Sequence, residues 1–101
     1  MKLQMHSIHF DADKKLLDYI QKKAEKLDTF YDRITGGEVY LRINKDTNNH
    51  ENKVVEIKLA VPGHTLFAKE HGSTFEAAAD EAMEALKSQI KKFKEKLLER
   101  A

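Results

Sequence analysis

A chain of 101 residues is long enough to bury one hydrophobic core and too short for two lobes with a substrate cleft between them. With no cysteine it has no disulfide, no thiolate metal site and no cysteine nucleophile, which suits a reducing cytoplasmic compartment. Eighteen basic and 17 acidic residues leave a net charge of only +1; the Met1 to His6 terminus lacks the apolar run of a signal peptide, and no window approaches the ~20 apolar residues that span a bilayer.

Leu3 and Met5 alternate with polar residues and the phase then shifts before Ile8 and Phe10, which predicts a first strand over 2–9 with an irregular end. Asp13 is placed to cap an amphipathic helix over about 14–31, whose buried stripe is Leu16, Ile20, Ala24, Leu27 and Tyr31. Gly36-Gly37 breaks that pattern, and Val39, Leu41 and Ile43 alternate with Glu38, Tyr40 and Arg42 as a half-buried strand. The polar stretch Lys45 to Asn52 reads as a loop. Val55, Ile57, Leu59 and Val61 form the next strand, closed by a Pro62-Gly63 type II turn that returns a hairpin partner from His64 to His71, with Leu66 and Ala68 facing inward. Ser73-Thr74-Phe75-Glu76 has the spacing of a capping box at the start of a long helix with the stripe Phe75, Ala79, Ala82, Met83, Leu86, Ile90, Phe93 and Leu97.

The order is β-α-β-β-β-α. Alternating strands bury one sheet face, so an α+β fold is expected over 1–101: a four-stranded mixed sheet with two helices packed on one face. The first crossover is expected to be right-handed and to make strands one and two parallel. No linker, repeat or low-complexity segment divides the chain into more than one domain.

The near-zero net charge conceals a segregation. Residues 76–84 carry four acidic side chains and no basic one, whereas 87–96 carry Lys87, Lys91, Lys92, Lys94 and Lys96 against Glu95 alone. Helical geometry puts Lys87, Lys91 and Lys94 on one flank of the Leu86 stripe and Lys92 and Lys96 on the other. On the first helix Lys15, Lys22, Lys23, Lys26 and Tyr19 share a side, opposite Asp18, Glu25 and Asp28. Two readings stay open on these residues alone. The lysines complement the negative end of the helix dipole as a solvated face, or they present a phosphate-binding surface to RNA or another polyanion.

Other constellations carry little chemistry. His6 and His9 point to opposite faces at a strand spacing of three, and no cysteine supplements them as metal ligands. His50, His64 and His71 fall in or beside turns. There is no nucleophile elbow, no nucleotide-cradling glycine loop and no interpretable acid-base pair, so catalysis is not expected. Tyr19 and Tyr40 are either core-edge residues or stacking platforms for bases.

The run Ala24-Glu25-Lys26-Leu27-Asp28-Thr29-Phe30-Tyr31-Asp32-Arg33-Ile34, the Ala77-Ala78 pair soon after Gly72, and Leu86, Gln89-Ile90, Lys92, Lys94 and Lys96-Leu97 occur in an order that resembles the bacterial hibernation-promoting factors and ribosome-associated inhibitors. The similarity covers nearly the whole chain. It implies docking in the small-subunit channel of the ribosome where messenger and transfer RNA lie, with no enzyme activity, cofactor, small-molecule substrate or membrane. By position, contact with ribosomal RNA falls on Lys23, Lys26, Lys87, Lys91, Lys92 and Lys94. Leu17 departs from the pattern where a basic residue is expected. The end at Ala101 resembles the short form, for which pairing of 70S ribosomes would need a separate dimerising factor. The competing readings are a regulatory module gripping a protein partner and, far behind, an acylphosphatase-like enzyme, which lacks its anion-cradling arginine loop here.

Overall fold

Four alternating segments should build a sheet with a single buried face, and a computed structural model of the chain, which describes residues 1–45 and 50–99, has that architecture. The elements are β1 (Leu3–Ser7), α1 (Lys14–Glu25), a 3₁₀ turn (Lys26–Thr29), β2 (Gly36–Ile43), β3 (Lys53–Val61), β4 (His64–Gly72) and α2 (Phe75–Glu99). The strand order is β1-β2-β3-β4; β1 lies parallel to β2, and the other neighbours are antiparallel. Part of the expected 45–52 loop, residues 46–49, lies outside the described residues, as do Arg100 and Ala101.

Register follows the pleat. Met5, Val39, Ile57 and Ala68 form one row across the sheet, and Leu3, Gly37, Leu59 and Leu66 the next. Their inner faces join Leu16, Ile20 and Ala24 of α1 and Ala79, Ala82, Leu86 and Ile90 of α2 in a single core cluster. Each such aliphatic side chain contributes ~1.5–3 kcal/mol by leaving water, and a one-residue slip would turn a whole row outward. The hairpin turn is as expected, with Gly63 at φ +73°. The irregular end of β1 is also present: Ile8 N–H still donates to the Leu41 carbonyl at 2.9 Å, and His9 then adopts φ +65° to redirect the chain toward α1.

Three expectations shift. The first helix ends at Glu25 and tightens into the 3₁₀ turn, where the Thr29 hydroxyl donates to the Lys26 carbonyl at 2.6 Å and so competes with the helical ladder. Tyr31 is buried all the same. The cap of α2 is Thr74: its hydroxyl accepts from Ala77 N–H at 3.0 Å and its carbonyl from Ala78 N–H at 3.1 Å. Glu76 is thereby the second helical residue and not the third, so no box closes on Ser73. Gly36-Gly37, read as a break, belongs to β2. A Cβ on Gly37 would stand 2.5 Å from the Lys58 carbonyl and 2.9 Å from a Leu3 methyl, so the strand needs glycine for close approach to both neighbours.

The edge strand β4 is closed by a side chain. Gln89 of α2 donates its amide N–H to the Phe67 carbonyl at 2.6 Å and accepts from Phe67 N–H at 3.2 Å, taking the place a further strand would occupy.

Candidate nucleic-acid interface

A helix of 25 residues is about 37 Å long, more than the sheet beneath it can cover. Burial of α2 is complete as far as Ile90 and partial at Phe93; Leu97, placed on the buried stripe by spacing, is 44% exposed. From Lys91 onward the helix overhangs the core. Lys91, Lys92, Lys94 and Lys96 are all exposed there, distributed around the helix.

The two flanks lead to different surfaces. Lys87, Lys91 and Lys94 line a groove of about 410 Å³ with Phe30, Ser88, Ile90 and Leu98, bounded by Glu84 one turn before Lys87 and Glu95 one turn after Lys91. Lys92 and Lys96 face the β3–β4 turn across a groove of about 460 Å³ with Pro62, Gly63 and His64. There His64 stacks on Phe93 at 5.8 Å between centroids, and Phe93 meets Tyr31 edge-on at 5.6 Å. The six lysines picked from the sequence therefore do not form one patch, since Lys92 lies on the opposite flank of α2 from Lys87, Lys91 and Lys94.

Phe30 follows the 3₁₀ turn, out of phase with the stripe of α1, and is 41% exposed. The Lys87 ammonium sits 4.7 Å from its ring centroid, and the Lys94 ammonium donates to its carbonyl oxygen at 2.7 Å. Both lysines thus tie the chain after α1 to the overhanging helix. Lys26 is exposed on the 3₁₀ turn itself.

Lys23 is engaged by an acid that the sequence reading counted only toward the charge of residues 76–84. Its ammonium lies 3.4 Å from Asp80 of α2 and 5.5 Å from the Tyr19 ring centroid, while the Tyr19 hydroxyl donates to the same Asp80 oxygen at 2.7 Å. The hydrogen bond to Asp80 raises the pKa of Tyr19 and, with its charge, that of Lys23. This trio joins the two helices. Tyr19 is consequently a helix-bridging residue, not a free stacking platform.

On the open sheet face the Tyr40 ring is also taken. His6 stacks on it at 4.8 Å, the Lys58 ammonium lies 5.7 Å from its centroid, and its hydroxyl donates to Glu38, which raises its pKa. Glu56 pairs there with Arg42 and, at 3.8 Å, with Lys69. Leu17, the departure from the family pattern, is partly buried against the core.

Phe30 and Gln89 entered the sequence reading only as members of the family motifs, and Asp80 only in the charge count of residues 76–84; none of the three was given a role. An aromatic residue off the stripe was the available signal for Phe30; the other two are polar residues whose partners are distant in sequence.

The comparisons with known proteins agree on one lineage. Residues 3–98 match the model of the Sigma 54 modulation protein / S30EA ribosomal protein family. The chain belongs to that family. A ribosome hibernation promotion factor of Deinococcus radiodurans is 33% identical over 91 residues, covering 90% of this chain and 48% of the relative, so the chain spans about half the length of that protein. A ribosome hibernation promoting factor of Pseudomonas putida is 28% identical over 96 residues, covering 95% of this chain and 89% of its own. Among solved structures, a ribosomal subunit interface protein from Coxiella burnetii superposes with a TM-score of 0.82 at 26% identity, over 93% of this chain and 98% of that one. The N-terminal domain of Protein Y from Thermus thermophilus gives 0.74 at 26% identity, over 91% and 94% of the two chains. Among the described residues no helix is long and apolar enough to cross a membrane.

Proposed function

We propose that this chain is a cytoplasmic ribosome hibernation factor. It acts as a single domain that binds the small ribosomal subunit, occupies the channel for messenger and transfer RNA, and silences translation by occlusion without catalysis. The observation that carries this reading is the overhanging end of α2, where lysines crowd a helix that has no core left to cover. Dipole complementarity asks for cations in the last turn. It does not ask for a helix extended beyond its sheet with Lys91, Lys92, Lys94 and Lys96 on both flanks. Such a projection carries phosphate-binding groups into a groove that a flush helix would not enter. Lys26, Lys87, Lys91 and Lys94 serve the Phe30 side, Lys92 the other flank, and Lys23 supports the surface from its contact with Asp80. The family membership and the relatives' names support the ribosome as the target.

Occlusion consumes one molecule per ribosome. Titrating the protein into a cell-free translation reaction of known ribosome concentration should give inhibition that saturates near equimolar protein. Full inhibition at a small fraction of the ribosome concentration would indicate an enzyme acting on ribosomes or factors and would overturn the proposal.

A further inference from the structure

An aromatic ring left in water beside three lysines is an unusual arrangement for a residue whose neighbours Leu27 and Tyr31 are buried. Phe30 keeps 41% of its surface exposed while its backbone is fixed by Phe30 N–H donating to the Leu27 carbonyl at 3.0 Å and by the Lys94 ammonium on its own carbonyl at 2.7 Å. The ring is therefore presented, not simply unburied. Across the groove, Lys87 to Lys94 spans about 10 Å along the helix, between the carboxylates of Glu84 and Glu95. That cationic stretch is short. It suits the phosphates of one nucleotide and its neighbour better than a continuous backbone track.

We propose that this groove is a subsite for a single unstacked nucleobase of ribosomal RNA, with the Phe30 ring taking the base and Lys87, Lys91 and Lys94 the adjoining phosphates. The proposal rests on the reading of ribosomal RNA as the ligand and adds a base contact to it. In the free protein the Lys87 ammonium covers the ring at 4.7 Å from its centroid. An exposed cation–π contact is weaker than base–aromatic stacking, so an arriving base displaces the ammonium, which is then free for a phosphate. The two halves of a nucleotide are thus received by groups that hold each other in its absence. A protein partner fits less well. Its apolar anchor would have to desolvate three ammonium groups around the ring, whereas a nucleotide brings its own anions to them.

Phe30→Trp, Phe30→Leu and Phe30→Ala, measured for binding to purified small ribosomal subunits at one salt concentration, separate the possibilities. Stacking predicts that Trp binds as tightly as the parent or tighter, and that Leu and Ala bind roughly five- to a hundredfold more weakly with an unchanged salt dependence. Leu matching the parent would reveal an apolar anchor for a protein, and all three matching it would abolish the subsite. Leu and Trp decide the matter if Ala lowers the melting temperature.

The chain contains no tryptophan, so Phe30→Trp also installs a single indole reporter, excited selectively over the three tyrosines. A short single-stranded oligoribonucleotide should quench its emission, and unchanged emission at saturating RNA would overturn the proposal. The combined Lys87→Gln, Lys91→Gln and Lys94→Gln variant keeps the two readings apart. If it binds subunits like the parent, RNA is not the ligand of this groove; if it weakens while the Phe30 variants do not, only the base contact is lost.

Discussion

Asp80 shows how much one side chain can hold at the junction of two helices. It accepts from the Tyr19 hydroxyl at 2.7 Å and faces the Lys23 ammonium at 3.4 Å, and both groups come from the one face of α1 that turns toward α2. The consequence for pH can be worked out from the direction of the two shifts. Both folded-state pKa values are raised by Asp80 above their ordinary values of 10.0 and 10.5. A raised pKa contributes stability that is fully present below the unfolded value and is lost as pH rises through the folded one. The trio should therefore be indifferent to pH through the neutral range and fail only above about pH 10. Asp80→Asn removes the charge while keeping the shape. Its denaturation midpoint should lie below that of the parent by a constant amount between pH 6 and 9, and the two curves should converge above pH 10. Convergence already near pH 7 would mean that a different titrating group controls the helix contact.

The elements differ in how legibly the sequence announces them. Periodicity alone finds all four strands and both helices, because each element buries one face and the apolar residues must then recur at 2 or about 3.6. The Asp13 cap is equally readable, a carboxylate next to a free amide with Lys15 N–H at 3.0 Å. What fails is local competition among polar groups: Thr29 folding back on Lys26, and Thr74 outbidding Ser73 for the cap. Gly37 misleads for a related reason, since its role is set by two strands remote in sequence. Gln89 is hidden in the same way. Its amide closes the edge of β4 through both polar atoms of Phe67, so Gln89→Leu should lose two hydrogen bonds worth about 1 kcal/mol each and leave the edge open. We expect a fall of several degrees in melting temperature together with concentration-dependent association seen by light scattering. The variant should still inhibit translation at concentrations where it is monomeric. An unchanged melting temperature would show that water serves Phe67 as well as the glutamine does.

At the scale of the whole molecule the charge map was legible in sign and in flank but not in engagement. Spacing separates Lys87, Lys91 and Lys94 from Lys92 and Lys96, and the two grooves of α2 bear that separation out. No spacing argument could tell that Lys23 faces Asp80, or that Lys87 and Lys94 are held at Phe30. These engagements define the last prediction, because a lysine that complements a helix terminus and a lysine that grips phosphate respond differently to salt. Each phosphate contact contributes about 0.7–0.9 to the slope of log affinity against log salt. Replacing Lys87, Lys91 and Lys94 with Gln should lower that slope for ribosome binding by about two to three, with a smaller decrease, about one, for Lys92→Gln alone. Lys23→Gln should change the slope least, since Asp80 already neutralises much of its field, and should instead lower thermal stability by loosening α1 from α2. All three variants keep the apolar stripe of α2 and the helix-forming tendency of their segments. A slope that stays at the parent value in the triple variant would place the RNA contacts away from the overhanging helix, on the sheet loops or on α1. A slope that falls equally for Lys23→Gln and for the triple variant would mean that binding breaks the Asp80 contact and recruits Lys23 to the phosphate surface.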